Sequence, residues 1–187
     1  MFEELLSRVA RALDGAGIPY MVIGGQAVLH YGEPRLTKDI DITMGIDIDG
    51  LDKALGCVSG LGLSTLPEDV RAFVRETMVL PCQDQISGLR VDLIFSRIPY
   101  ERQAIARAVE KSIGGATVKI ASLEDTIIHK IVANRPRDIE DARSMMLKNP
   151  GLDRGYVRGW LKEFDKALDD GRLRTFEQLL ERIRVKR

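Results

Sequence analysis

Asp39 and Asp41 stand two residues apart in Asp39-Ile40-Asp41-Ile42-Thr43-Met44, where polar and apolar residues alternate. That alternation is the period of a β-strand. Residues i and i+2 of a strand face the same way, so both carboxylates project from one face with Cα atoms about 6.6 Å apart. Two like charges at that spacing repel. A divalent cation offsets both, and hard carboxylate oxygens suit Mg²⁺. A third carboxylate, Asp92, interrupts the apolar run Val91-Asp92-Leu93-Ile94-Phe95, where an ionised group is costly unless it is paired, hydrogen-bonded or metal-bound. If the two strands are neighbours, three carboxylates converge, as two-metal phosphoryl or nucleotidyl transfer needs with its ions roughly 3.5–4 Å apart. Gly24-Gly25, after the apolar run Tyr20-Met21-Val22-Ile23, supplies a complementary part. A turn without Cβ atoms lets backbone N–H groups approach a phosphate at a helix N-terminus.

Each piece alone has a plainer reading. Gly-Gly is a turn, Asp-Ile-Asp-Ile is a strand with one solvated face, and Asp92 is a buried hydrogen-bonded carboxylate or an edge-strand residue. The order of all three is more specific than any one. Around them, Arg35, Thr37 and Lys38 occupy the loop before the acidic strand, placed to contact nucleotide or to solvate the loop. A second charged cluster is Lys130-x₄-Arg135-Pro136-Arg137-Asp138-x₂-Asp141. Lys130 or an arginine there can neutralise charge developing on a leaving pyrophosphate. The same spacings also suit ordinary charge pairs on exposed helices.

The elements that must position these residues follow from periodicity. Phe2, Leu5, Leu6, Val9, Ala10 and Leu13 share one face of a helix that Gly15 and Gly17 stop. Tyr20–Ile23 reads as a buried strand, Gln26–Tyr31 as a short helix, and Asp39–Met44 as a strand. A helix is expected from Asp49, a short helical stretch after Pro67, then strands at Met78–Leu80 and Leu89–Phe95. Tyr100–Ile113 reads as helix and Ala116–Ile120 as strand. Ser122 with Asp125 opens a further helix, Pro136 interrupts it, and two helices around Trp160 and Phe176 close the chain. The pattern is α/β (α+β) in the first two thirds and helical afterwards. It divides into a domain over residues 1–148 and a C-terminal helical extension over 149–187 packed on it.

Composition bounds the function classes. The 187 residues suit one full core, and 28 Lys and Arg balance 28 Asp and Glu. A neutral chain is a poor non-specific nucleic-acid coat, since that affinity comes from neutralising phosphates, although Arg182, Arg184, Lys186 and Arg187 make the C-terminal end locally basic. Two cysteines, Cys57 and Cys82, make neither a disulfide framework nor a four-thiolate zinc site. No apolar run approaches the roughly 18 residues of a membrane span, and the amphipathic N-terminus lacks a signal's apolar core. The expectation is a cytoplasmic protein without a membrane partner.

Ile23-Gly24-Gly25, Arg35-x-Thr37-x-Asp39-Ile40-Asp41-Ile42 and Val91-Asp92-Leu93-Ile94 together resemble the active-site signature of the DNA polymerase beta-like nucleotidyltransferase superfamily. Within it they resemble the minimal prokaryotic members, whose neighbourhood includes the abortive-infection toxins of type IV toxin–antitoxin systems. The Lys130…Arg135-x-Arg137-Asp138…Asp141 segment resembles one that follows the catalytic sheet in those abortive-infection-like members. The resemblance implies a nucleotidyltransferase fold, a small mixed β-sheet flanked by helices, binding an NTP with two Mg²⁺ ions. It implies Asp39, Asp41 and Asp92 as metal ligands and catalytic residues, with Lys130 beside them in the chemistry. Gly24, Gly25, Arg35 and Thr37 would bind nucleotide, Gly25 standing where the commoner family turn has Ser. The activity implied is Mg²⁺-dependent transfer of an NMP, ATP among the candidate donors, to an acceptor hydroxyl on a small molecule, protein or RNA. An antitoxin is the implied protein partner. The alternative is a non-catalytic nucleotide-sensing or protein-binding module on the same fold.

Overall fold

In the computed structural model of the chain, which describes residues 1–34, 37 and 39–184, the helical period at the N-terminus becomes α1 (Phe2–Gly15). Its buried face carries Leu5, Leu6, Val9, Ala10 and Leu13. The apolar run that follows is β1 (Tyr20–Val22), and α2 (Gly24–Tyr31) begins at the glycine pair itself. The alternating acidic segment forms β2 (Asp39–Met44). A single 3₁₀ turn (Ile48–Gly50) leads into α3 (Leu51–Gly60), so the regular helix starts two residues later than Asp49. Then come β3 (Leu63–Thr65), α4 (Val70–Thr77), β4 (Val79–Asp84), β5 (Arg90–Phe95), α5 (Pro99–Ala106), β6 (Val109–Ile113) and β7 (Ala116–Ile120).

The chain's own contacts divide it into two units, Met1–Gln26 with Leu36–Ala121, and Ala27–Arg35 with Ser122–Arg187. The first unit holds a seven-stranded sheet in the order β3-β4-β5-β2-β1-β7-β6. It is mixed: β2 runs parallel to β5 and β1 to β7, while the other neighbours are antiparallel. The α/β class and the mixed sheet flanked by helices are as expected. The core of the central strands is one-sided on β2 and β5, where Ile40, Ile42 and Met44 lie opposite Val91, Leu93 and Phe95, all buried. Helix α1 packs on β6, β7 and α3, and α5 packs on β1 and β2.

Two expectations are corrected. The helix read over Tyr100–Ile113 ends at Ala106, and Val109–Ile113 is an edge strand paired antiparallel with β7. The reason is the hairpin: Gly114 and Gly115 both take positive φ, +55° and +72°, the two-residue turn whose twist matches paired strands. The β3 strand was not expected either. At three residues it is too short for its alternation to register, and its pairing with β4 defines it.

The second unit is helical over its long segment. Helix α6 (Leu123–Ala133) is capped by Ser122, whose hydroxyl accepts from the Asp125 N–H at 3.1 Å. It ends at Asn134 in the left-handed conformation, and Pro136 opens α7 (Pro136–Lys148) at a position where its missing N–H costs nothing. Helices α8 (Arg154–Leu168) and α9 (Arg172–Arg184) follow. Helix α6 packs against α7, α8 and α9, burying Ile127, Ile128, Ile131, Met145, Val157, Leu161, Phe176 and Leu179.

Candidate active site on the central strands

The parallel register of β2 and β5 sets the site. Asp39 lies opposite Arg90, Asp41 opposite Asp92, and Thr43 opposite Ile94. Register partners in a parallel pair share a face, so Asp39, Asp41 and Asp92 stand on the side away from the Ile40–Val91 and Ile42–Leu93 rows. The condition on which three carboxylates meet, neighbouring strands, is therefore satisfied. Asp41 and Asp92 are half-buried and Asp39 is exposed.

The glycine turn is fitted to this face. The Ile23 N–H donates to the Asp41 carbonyl at 2.9 Å, extending the β1–β2 pairing to the edge of α2. Gly24 then takes φ +66°, and a Cβ built on it would lie 2.0 Å from Asp41 Oδ2. Any side chain at 24 would be strained twice, by backbone conformation and by collision with the carboxylate. The missing Cβ thus makes room for an acidic side chain against the first turn of α2. The phosphate reading of this turn did not include that role. Gly25 follows, buried, in the same turn. The Thr37 hydroxyl reaches the Asp39 carbonyl at 3.4 Å, a long bond before the strand. Arg35 and Lys38 lie outside the described residues.

The structure adds Arg90, which the sequence reading had passed over. Its Nε donates to Asp92 Oδ1 at 2.8 Å, from a side chain 48% exposed to one 17% exposed. The hydrogen bond to Asp92 is the largest influence on its guanidinium, holding it more firmly protonated than usual against some desolvation, and Asp39 and Asp41 add to the effect. The available signal was Arg90-x-Asp92, the same i, i+2 spacing that puts Asp39 and Asp41 on one face.

Among the described residues, no three His, Cys, Asp or Glu side chains close into a cation site. The donor set nevertheless suits Mg²⁺, which keeps several waters and is commonly bound by one or two carboxylates plus substrate phosphates. Two directly opposed carboxylates with a third on the same face, and a glycine that leaves Asp41 its space, meet that requirement.

Lys130 belongs to the second unit. Its Nζ lies 2.7 Å from Asp138 Oδ1 and 3.0 Å from Asp141 Oδ2, while Arg135 Nε reaches Asp138 Oδ2 at 2.5 Å. Lys130 and Asp138 are buried, so their pair is not an exposed-helix one, whereas Arg135 reaches Asp138 from an exposed side chain at i,i+3 spacing. Burial alone would raise the Asp138 carboxyl, but hydrogen bonds from Arg135 and Lys130 outweigh it and hold it below its ordinary value. Nearby on α6, the fully buried Asp125 accepts from Ser122 Oγ at 2.6 Å and from Tyr156 Oη at 2.9 Å.

Comparison with known proteins bears on the fold and the family. Solved structures with the same fold include the antibiotic-resistance factor ANT(2'')-Ia in solution, at 18% identity and TM-score 0.61, covering 90% of this chain and 95% of that one. ANT(2'')-Ia in complex with adenylyl-2''-tobramycin matches at 20% identity and TM-score 0.59, covering 89% and 98%. An antigenic nucleotidyltransferase-like protein from Paracoccidioides brasiliensis matches at 20% and 0.56, covering 92% and 93%. At these identities the likeness shows the fold. No curated protein matches the sequence. The profile described as "Nucleotidyl transferase AbiEii toxin, Type IV TA system" matches residues 5–179, nearly the whole chain, and the chain therefore belongs to the AbiEii nucleotidyltransferase family.

Proposed function

We propose that the chain transfers an NMP from an NTP to an acceptor hydroxyl and releases pyrophosphate, with Asp39, Asp41 and Asp92 as its catalytic carboxylates. The observation that carries the reading is the β2–β5 register, which sets Asp41 against Asp92 with Asp39 on the same face. Asp39, Asp41 and Asp92 would hold Mg²⁺, which when bound offsets phosphate charge and polarises the reacting oxygens. Asp92 takes the proton of the acceptor hydroxyl as its oxygen forms a bond to the α-phosphorus, and the bond from that phosphorus to the β-phosphate's bridging oxygen breaks. The first-turn N–H groups at Gly24 and Gly25, with Arg35 and Thr37, bind the triphosphate. Most of the rate comes from positioning and electrostatics rather than covalent chemistry on the protein.

Small molecules, proteins and RNA are all candidate acceptors. The neighbour crystallised with adenylyl-2''-tobramycin makes an aminoglycoside one acceptor to include, and the type IV toxin family favours a cellular target restrained by an antitoxin. The test is incubation with Mg²⁺ and α- or γ-labelled NTPs against those three acceptor classes. The α label should move to one class and the γ label should leave in pyrophosphate, both lost in Asp41→Ala. Full activity in a folded Asp41→Ala protein would overturn the assignment. If the toxin reading holds, expression of the wild type arrests growth and expression of Asp41→Ala does not.

A further inference from the structure

Among the described residues of β2 and β5, Arg90 is the cation on a face that otherwise carries three carboxylates. It sits on β5 two residues before Asp92 and opposite Asp39 on β2. Its guanidinium reaches along its own strand to Asp92 Oδ1 at 2.8 Å. The charge cannot be removed by ordinary pH change, because an arginine stays protonated in proteins. The partner it has taken is the carboxylate assigned, under the proposed function, both to metal and to the acceptor's proton. An oxygen that accepts a guanidinium N–H at hydrogen-bond distance offers less of its charge to a cation, and a positive group so close also repels an incoming one.

We propose that Arg90 is an internal counter-cation that competes with the divalent ion for Asp92. In the metal-free protein it relieves the repulsion among Asp39, Asp41 and Asp92, which helps explain how three acids share one strand face. Binding a metal through Oδ1 then requires breaking the Arg90 hydrogen bond, and binding through Oδ2 brings the ion close to the guanidinium charge, so the arginine sets a threshold for occupancy of that carboxylate. Because the arginine is itself half-exposed, the pair is only moderately strong and the exchange is accessible. The released guanidinium remains tethered to the site and returns when the ion leaves.

This inference rests on the carboxylate reading of the site, and its test separates the two. Mn²⁺ is titrated in the absence of nucleotide, followed by electron paramagnetic resonance, into the wild type, Arg90→Gln, Asp92→Asn and the double variant. Melting curves verify that each is folded. Arg90→Gln should bind Mn²⁺ roughly two- to fivefold more tightly than the wild type, the range expected for removing a partly exposed ion pair. In the Asp92→Asn background the same substitution should have little effect, since the contested carboxylate is gone. Unchanged or weaker binding by Arg90→Gln would overturn the proposal. So would a gain that persists undiminished without Asp92, which would reduce Arg90 to a general repulsive charge. Absence of Mn²⁺ binding by both folded wild type and Arg90→Gln, without nucleotide and again with a non-hydrolysable NTP analogue present, would instead overturn the carboxylate reading and this inference with it.

Discussion

On β2 and β5 of the first unit, Asp39, Asp41 and Asp92 stand on a strand face where a half-exposed arginine pairs with Asp92. In the second unit Asp138 and Asp141 close on a buried lysine, and Asp125 is fully enclosed with hydroxyl donors. Both regions place acids where apolar neighbours dominate, yet they meet the desolvation problem differently. The helical cluster supplies partners from the chain itself, so its carboxylates are committed to structure. On the strand face Asp39 is exposed and Asp41 and Asp92 are half-buried, which under the proposed function puts them within reach of a cation. Charge satisfied internally contributes to folding specificity, whereas charge left accessible is available for chemistry.

The contrast predicts opposite phenotypes. Asp41→Ala should lower nucleotidyl transfer by roughly 10²–10³ or more, in the range for losing a key electrostatic group, with the melting temperature nearly unchanged. A collapse of the fold instead would put Asp41 among the structural acids. Lys130→Met should do the reverse of that profile in stability, costing about 3 kcal/mol in urea denaturation, because Asp138 and Asp141 lose a buried partner. A stability loss below about 1 kcal/mol would mean the cluster behaves as a surface network.

His129 sharpens the comparison through pH. Its side chain is partly buried one turn from Asp125, with Nε2 shielded from solvent; desolvation foremost lowers its pKa to about 4, with Asp125 opposing and Lys130 lowering it further. Unfolded chain takes up a proton on this ring near pH 6.5, while the folded chain stays neutral until about pH 4. Stability should therefore be flat above pH 6.5 and fall as pH drops from about 6.5 toward 4, by about 3 kcal/mol at most. Asp138, whose pKa is depressed, acts in a lower window: its contribution is lost only as pH falls beneath the ordinary carboxylate range. Denaturation at pH 7.5, 6.5, 5.5 and 4.5 checks the slope, and a flat profile would contradict the neutral ring. The smallest effect is Tyr156→Phe, which removes one donor from Asp125 and should cost about 1.5–3 kcal/mol, with Mg²⁺-dependent NTP binding per folded molecule retained.

Much of this site was legible in the sequence because its signals are local. Period-2 alternation around Asp39 and Asp41, a charge inside Val91–Phe95, and glycines after a short apolar run need no tertiary information. What joins them does. That β2 lies beside β5, with Asp41 opposite Asp92, depends on a pairing across about fifty residues that no local pattern specifies. Gly24's fit around Asp41 is likewise a consequence of packing. The Lys130 cluster was readable as charges at helical spacing, but its burial depends on how α6 and α7 meet. At β6 a local signal existed and was outweighed. Apolar residues from Tyr100 onward suggest one long helix, while Gly114-Gly115 before the alternating run Ala116–Ile120 marks the hairpin that the chain adopts.

The central claim, that the β2–β5 carboxylates form a metal-dependent nucleotide site, is tested most directly by calorimetric titration. Each NTP is titrated with and without Mg²⁺ into the wild type and into the Asp39→Ala/Asp41→Ala double variant. Binding by the wild type should require Mg²⁺ and be lost in a folded double variant. Binding that survives removal of both carboxylates, or no binding by folded wild type at any Mg²⁺ concentration, would contradict it.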